Sequence, residues 1–300
     1  MTGGKGTAPS VHEAVFRAEG GSLYVVATPI GNLRDVTLRA LDILASADVV
    51  AAEDTRVTAT LLARYGIATR ARAVHRHNEA RETATIVAAL RDGRSVAFVT
   101  DAGTPGISDP GARLVRAARE AGHRIVPIPG PSALAAAISA AGLLAERFAF
   151  VGFLPAQPKA RREAIAAVAA WPVALVFYEA PHRIVATVEA LAAALEARRT
   201  VVIAREITKA FETIASMPLA TARAWLDEDA NRARGEFVLV VDAPANEDVP
   251  EALSPDVQRL LAALVAELPP ARAARVAAEA TGIAREVLYA RAVAISKGGD

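Results

Sequence analysis

The sequence predicts an α/β protein of two domains followed by a small helical one, and three observations carry that prediction. Between residues 22 and 142, short apolar runs alternate with stretches of helical period, the pattern of a mostly parallel sheet. The composition changes near Gly142–Arg147, and the strand candidates that follow include a pair that reads as antiparallel. Beyond Pro244, a segment of Ala, Asn, Glu, Asp and Pro gives way to helical periodicity without strands. The expected boundaries are a disordered tail over 1–21, α/β domains over 22–142 and 143–244, and a helix-turn-helix-like domain over 252–297.

In the tail, a short helix is expected around His12–Ala18, and Gly3-Gly4-Lys5-Gly6-Thr7 lacks both the preceding strand and the spacing of a phosphate loop. Leu23–Ala27 is the first strand, and Thr37–Leu44 the first helix. A second strand, Val49–Ala52, delivers Glu53-Asp54-Thr55-Arg56 to a helix around Thr58–Tyr65, with Thr55 or Asp54 as cap. A helix over 81–92 precedes the strand Ser95–Val99. The long loop Thr100–Gly111 follows, rich in Gly, Thr, Ser and Asp, then a helix over 112–119 with Asp109 as cap and Pro110 in its first turn. Arg124–Ile128 and an alanine-rich helix to about Ala141 complete the first domain.

In the second domain, strands are expected at Phe148–Pro155, Val173–Tyr178 and Thr200–Ala204, with a helix from Arg162 to Ala169 and another over Ile184–Leu195. Residues 211–216 and 236–241 read as the antiparallel pair, separated by a helix-like 218–229. The tail offers Val257–Leu268, Ala271–Ala280 and Ile283–Ile295 as helices, with Gly282 at the last turn.

Composition narrows the chemistry. The 300 residues contain no cysteine, which removes disulfides and thiolate metal sites. Apolar residues make up 53% and charged ones 22%, as in a folded globular chain. No apolar run is long enough to span a bilayer and no signal-peptide pattern opens the chain, so a cytoplasmic protein away from membranes is expected. A net charge of +1 gives no overall electrostatic footprint for nucleic acid, so any RNA contact must come from local basic patches.

The loop Asp101-Ala102-Gly103-Thr104-Pro105, at the carboxyl end of a buried strand, stands where open α/β sheets bind small ligands. A second strand ends in Pro129-Gly130-Pro131-Ser132-Ala133, which makes a shared crevice plausible. His75, His77 and Glu79 alternate along an extended segment, but neither an HExxH helix nor a cysteine accompanies them, so no metal is assigned and hydrogen bonding or acid–base work is the better reading. Lys159, Arg161 and Arg162 form a basic cluster on a segment that Pro155 and Pro158 hold out as a loop, suited to phosphate contact. No strand is followed by GxGxxG, so a Rossmann cofactor site is not offered.

Taken in order, Thr28-Pro29-Ile30-Gly31-Asn32-Leu33, Ala52–Arg56, His77-Asn78-Glu79, Asp101–Pro105, Pro129–Ala133, Gly152-Phe153-Leu154-Pro155, Phe177–Arg183 and Arg205-Glu206-Ile207-Thr208-Lys209 resemble the ribosomal RNA small subunit methyltransferase I family, a branch of the tetrapyrrole methylase superfamily. The resemblance covers residues 22 to 296; Thr100 stands where Ser is expected, which keeps the hydroxyl. It implies two α/β domains of the tetrapyrrole methylase type with S-adenosyl-L-methionine between them, a C-terminal helical domain and a homodimer. It implies 2′-O-methylation of a cytidine in the decoding region of 16S rRNA, as naked RNA or in the small ribosomal subunit. Pro29, Asp101, Ala102, Gly103, Thr104, Pro105, Ser132, Ala133 and Tyr178 are then expected at the cofactor. Glu206, Glu179, His77 and Glu79 are candidates for the base, and Lys209 for stabilising a developing alkoxide or holding a phosphate. Arg34, Arg56, Lys159, Arg161, Arg162 and Arg183 are expected to face RNA. Two alternatives remain: methylation of a small tetrapyrrole-like acceptor, and an RNA-binding protein that has lost catalysis.

Overall fold

The computed structural model describes residues 16–74, 79–143, 146–244 and 253–296. Residues up to Pro244 form one unit and those after it a second. In the first unit, β1 (Ser22–Val26), β2 (Val49–Ala52), β3 (Ala71–Ala73), β4 (Val96–Val99) and β5 (Arg124–Ile128) make a parallel sheet in the order β3-β2-β4-β1-β5. The short edge strand β3 was not expected from the sequence. The inner strands are apolar at successive positions because helices cover both faces of a parallel sheet. Helices α1 (Leu38–Ser46) and α2 (Thr55–Arg64) pack Ile43, Leu44, Leu61 and Leu62 against Val26, Val50 and Val99. On the opposite face α3 (Glu79–Arg91) and α4 (Ala112–Glu120) bring Ile86, Leu90 and Leu114 onto Leu23 and Phe98.

Side-chain caps start these helices where the chain leaves a strand. Thr37 accepts from the Ala40 amide and Asp54 from that of Arg56. At α4 the expected cap is corrected. Gly111, not Asp109, holds the cap position at φ +119°, and Pro110 stays in the loop. A Cβ at Gly111 would come within 2.3 Å of the Phe98 ring, so the close approach of the loop to β4 requires glycine there.

The second sheet joins β6 (Phe148–Phe153), β7 (Ala174–Glu179), β8 (Thr200–Arg205), β9 (Thr213–Pro218) and β10 (Phe237–Val241) in the order β6-β7-β10-β8-β9. β6 and β7 are parallel, whereas β7–β10, β10–β8 and β8–β9 are antiparallel. The predicted pair of 211–216 with 236–241 does not form, because β8 lies between β9 and β10. Every residue of β10 is buried, which suits a centre, while β9 alternates half-buried and exposed positions, which suits an edge.

Helices α6 (Pro158–Ala169), α7 (Ile184–Ala194) and α8 (Leu219–Asp227) cover one face of this sheet. The other is covered by α5 (Ala133–Ala141), whose Ala137 and Ala141 pack on Val176, Val202 and Val238. The helix that follows the last strand of the first sheet thus packs on the second, and it ties the two halves together. The α6 boundary is a further correction: Pro158 occupies the first turn, so Lys159, Arg161 and Arg162 lie on a helix rather than a loop.

In the second unit α9 (Pro255–Glu267), α10 (Pro270–Thr281) and α11 (Arg285–Ser296) enclose Leu261, Ala274, Ala277, Leu288 and Ala292. Among the described residues no helix is long and apolar enough to cross a membrane, and no group of three or more His, Asp or Glu could hold a metal ion.

Candidate active site

The carboxyl ends of β1 and β4 lie side by side, but their loops leave towards opposite faces of the first sheet, the arrangement that opens a crevice at a strand-order switch. Thr28 and Gly103 pin the two loops together by exchanging backbone bonds of 2.9 and 3.0 Å. The Thr28 hydroxyl donates to the Thr100 carbonyl at 3.1 Å, and that of Thr104 to the Pro131 carbonyl at 3.0 Å. Gly103 has φ +77°, a conformation that leaves this wall of the crevice without a side chain.

Facing these loops, the second sheet contributes the ends of β7 and β8 and the start of β10. A cleft of about 300 Å³ results, with Ile30, Ala102, Gly103, Thr104, Ser132 and Ala133 from the first half and Phe153, Tyr178, Ile207, Lys209 and Glu236 from the second. The Phe150 and Phe153 rings meet Tyr178 edge-on at 4.8 and 5.6 Å. The Tyr178 hydroxyl accepts from the Leu134 amide at 3.0 Å, a bond across the two halves. Burial pushes the Tyr178 phenol up, and the Asp109 carboxylate adds to the shift, so the group is neutral at ordinary pH.

One edge of the cleft is charged. The Lys209 ammonium donates to Glu206 Oε1 at 2.9 Å and to Glu236 Oε2 at 2.7 Å. Glu206 Oε1 also accepts from the Glu236 amide at 2.9 Å. Burial works against both charges, but the ion pairing outweighs it: Glu206 is held below its ordinary value and Lys209 above. Two carboxylates around one ammonium leave the cluster with one net negative charge. The backbone is bent to build it, with Glu206 at φ +50° and Thr208 at +68°. Glycines make the room: a Cβ at Gly235 would fall 2.4 Å from Glu206 Cγ, and one at Gly31 would fall 2.5 Å from Lys209 Cγ.

Of the residues expected at a cofactor, Ala102, Gly103, Thr104, Ser132, Ala133 and Tyr178 line the cleft together. Pro29 and Asp101 line an adjoining depression instead, and Pro105 a third one behind the loop. Among the base candidates, Glu179 is 2% exposed and spent on structure: it accepts from the Ala180 amide and the Thr187 hydroxyl and pairs with Arg183 at 3.1 Å. Glu79 accepts from the Gly111 amide at 3.3 Å, bracing the far end of the long loop. His77, with His75, lies outside the described residues.

The basic residues separate in the same way. Arg34, Arg56, Lys159 and Arg162 are exposed, Arg56 in an ion pair with Asp54, whose carboxyl it lowers to about 2. Arg161 is 8% exposed, because a helix begun at Pro158 turns position 161 inward. Arg183 pairs with Glu179 and donates to the Leu154 carbonyl, with its side chain only 18% exposed. Neither presents itself to solvent as the sequence reading expected. Glu236 and Phe153 were not singled out as site residues; Glu236 follows a glycine at φ +92°, the one local signal that marked it.

A family profile described as Tetrapyrrole (Corrin/Porphyrin) Methylases matches residues 22–223, and one described as RsmI C-terminal HTH domain matches 251–296. The protein named ribosomal RNA small subunit methyltransferase I from Escherichia coli O157:H7 is 50% identical over 278 residues, 93% of this chain and 96% of that protein. Its namesake from Xylella fastidiosa is 49% identical over 269 residues, covering 90% and 98%. Among solved structures, cobalt precorrin-4 methyltransferase superposes with a TM-score of 0.58 at 18% identity, over 74% of this chain and 95% of that one. Uroporphyrin-III C-methyltransferase from Thermus thermophilus, complexed with S-adenyl homocysteine, gives 0.52 at 20% identity, over 74% and 97%. These two likenesses speak to the fold alone. The chain belongs to the tetrapyrrole (corrin/porphyrin) methylases and, within them, to the ribosomal RNA small subunit methyltransferase I family.

Proposed function

We propose that this chain methylates small-subunit ribosomal RNA from S-adenosyl-L-methionine, placing the methyl on a cytidine ribose 2′-oxygen in the decoding region. The observation that carries the reading is the cleft: a mostly apolar pocket built by both halves, edged by a cluster with one net negative charge. A nucleoside sulfonium fits it. The side-chain-free wall at Gly103 admits close approach, Ser132, Thr104 and Tyr178 offer polar contacts, and the acidic edge complements a positive sulfur. Bound there, S-adenosylmethionine supplies an already activated methyl group.

The residues then have three tasks. The loops pinned by Thr28, Gly103 and Thr104 would hold the donor in a fixed orientation, which would lower the entropic part of the barrier. Lys209, fixed by two carboxylates and kept protonated, serves as a hydrogen-bond donor and not as a base. Glu236 lines the cleft and also the depression beside it, so it is the carboxylate that best meets an acceptor hydroxyl. The proton of the acceptor hydroxyl would pass to Glu236 as the methyl group is transferred. With its side chain 78% exposed, Glu236 then releases that proton to water. Glu206, with one oxygen committed to Lys209 and to a backbone amide, positions Lys209.

Exposed Arg34, Arg56, Lys159 and Arg162 supply local positive charge for RNA on a chain with little net charge. A cytoplasmic homodimer completes the reading, with equilibrium sedimentation as the test of the dimer. The function is tested by incubating small subunits that lack the modification with labelled S-adenosylmethionine and mapping the nucleotide and atom. A methyl on a cytidine 2′-oxygen supports the proposal. Transfer only to a small tetrapyrrole, or no cofactor binding at all, would replace it with one of the two alternatives above.

A further inference from the structure

We propose that Arg205 is a positioning residue whose guanidinium staples together the two loops that carry Lys209 and Glu236. The inference rests on the methyltransferase reading above, in which those two side chains do the polar work of transfer. Lys209 belongs to the loop 206–212 between β8 and β9, and Glu236 stands immediately before β10. The two are 27 positions apart in sequence, yet their side chains meet at 2.7 Å. That meeting depends on how the two loops are held.

Apolar packing holds the loop after β8 only at its start. Ile207 packs against the residues buried beneath α5, whereas Ala210, Phe211 and Glu212 are exposed, Phe211 at 73%. Glu206 and Thr208 also keep left-handed backbone conformations, which persist only where the surroundings fix them. Polar contacts must therefore set the shape of this loop. One is internal: the Thr208 amide donates to Glu212 Oε2 at 2.6 Å.

The other comes from Arg205, the last residue of β8, paired with Thr213 on β9 and Phe237 on β10. From between these strands its side chain bonds to both loops. Nε donates to the Arg234 carbonyl at 2.5 Å and Nη1 to the Phe211 carbonyl at 3.0 Å. The first carbonyl lies two residues before Glu236 and the second two residues after Lys209. A planar guanidinium has its donors in a fixed fork, so bonding both carbonyls sets the distance between them. Its charge also favours the ionised form of Glu206, which in turn holds Lys209. Arg205 lines neither the cleft nor the depression beside it, so it acts through Lys209 and Glu236 and not on the substrate.

The test uses variants of the full chain, small subunits lacking the modification, and S-adenosylhomocysteine as calorimetric probe of the cleft. Arg205→Met keeps much of the side chain's length and removes both donors. Its S-adenosylhomocysteine affinity and its KM for subunits are expected to stay within about threefold, while kcat falls about tenfold or more. Arg205→Lys, with a single flexible ammonium in place of the fork, is expected to fall between the two, and carries the same comparisons should Arg205→Met fail to fold. The decisive readout is the same substitution in a Glu236→Gln background, where there is no carboxylate left to place. There Arg205→Met is expected to cost about threefold or less in kcat. An intact kcat in folded Arg205→Met would overturn the proposal, and so would an equal loss in both backgrounds, the mark of a merely structural role. A raised KM with unchanged kcat would overturn it too, making Arg205 an RNA contact. Failure of the unmodified protein to bind S-adenosylhomocysteine would instead overturn the methyltransferase reading itself.

Discussion

The two halves of the first unit build one cleft with different materials. The parallel half contributes backbone and small side chains: Ala102, Gly103, Thr104, Ser132 and Ala133 sit on loops held by a two-bond bridge and a hydroxyl contact. The mixed half contributes aromatic rings and charge: Phe153, Tyr178, Lys209 and Glu236. The difference follows from topology. A strand order that switches direction opens a gap into which backbone must fit closely, so glycine and hydroxyl residues suit it. Antiparallel strands bring the end of β8 beside the start of β10, and that adjacency, Phe237 opposite Arg205, places Glu206, Lys209 and Glu236 together. On the proposed reading, both halves bind the donor, and the proton chemistry falls to the mixed half alone.

The largest expected effect breaks the parallel half. Gly111→Ala adds a Cβ at 2.3 Å from the Phe98 ring in a left-handed conformation. Overpacking and backbone strain together predict a loss of about 2–5 kcal/mol in unfolding free energy, read by denaturant titration. A loss below about 0.5 kcal/mol would show that the loop relaxes away from β4 at little cost.

Next comes the bond that joins the halves. Tyr178→Phe removes the acceptor of the Leu134 amide at 3.0 Å and is expected to lower stability by about 0.5–1.5 kcal/mol. It weakens donor binding without touching the charged edge, so its pH–rate profile stays that of the unmodified protein.

The charged edge has its own signature in pH. Glu206 is held below its ordinary value of 4.5, so its contribution to stability is full above that pH and fades as pH falls through the lower folded-state value. Lys209 is held above 10.5, so its contribution is full below that pH and fades only as pH rises through the higher folded-state value. Stability measured against pH should fall less steeply below 4.5 in Glu206→Gln than in the unmodified protein, with the neutral plateau lowered.

The smallest effect separates two neighbouring arginines. Arg162→Ala, on the exposed face of α6, is expected to reduce the salt slope of RNA binding by about 1 and leave stability unchanged. Arg161→Ala, buried, should do the reverse. Equal effects on the salt slope would contradict the inward placement of Arg161.

Much of this fold was legible in the sequence because each strand of the first half ends in a loop with its own chemistry. The strands at Val49–Ala52 and Arg124–Ile128 stand where their apolar runs said, and Asp54 and Ser132 cap the helices that follow. The misreadings share one cause, the dependence of local pattern on distant partners. Asp109-Pro110 has the form of a helix start, but Phe98 on β4 draws the loop in and moves the start to Gly111. Two runs that read as an antiparallel pair are separated by β8, whose own run carries no mark of its neighbours. In the site, the small residues of the cleft were readable from their loop. Glu236 was not, because its importance comes from Lys209, distant in sequence and brought close by strand pairing.

The division of labour between the halves is tested most directly by Glu236→Gln under single turnover, with S-adenosylhomocysteine affinity measured in parallel. The account predicts an affinity within twofold of the unmodified protein and a methyl-transfer rate lower by about 10²-fold or more, as for loss of a general base. A transfer rate left intact, or a fall explained wholly by weakened donor binding, would contradict it.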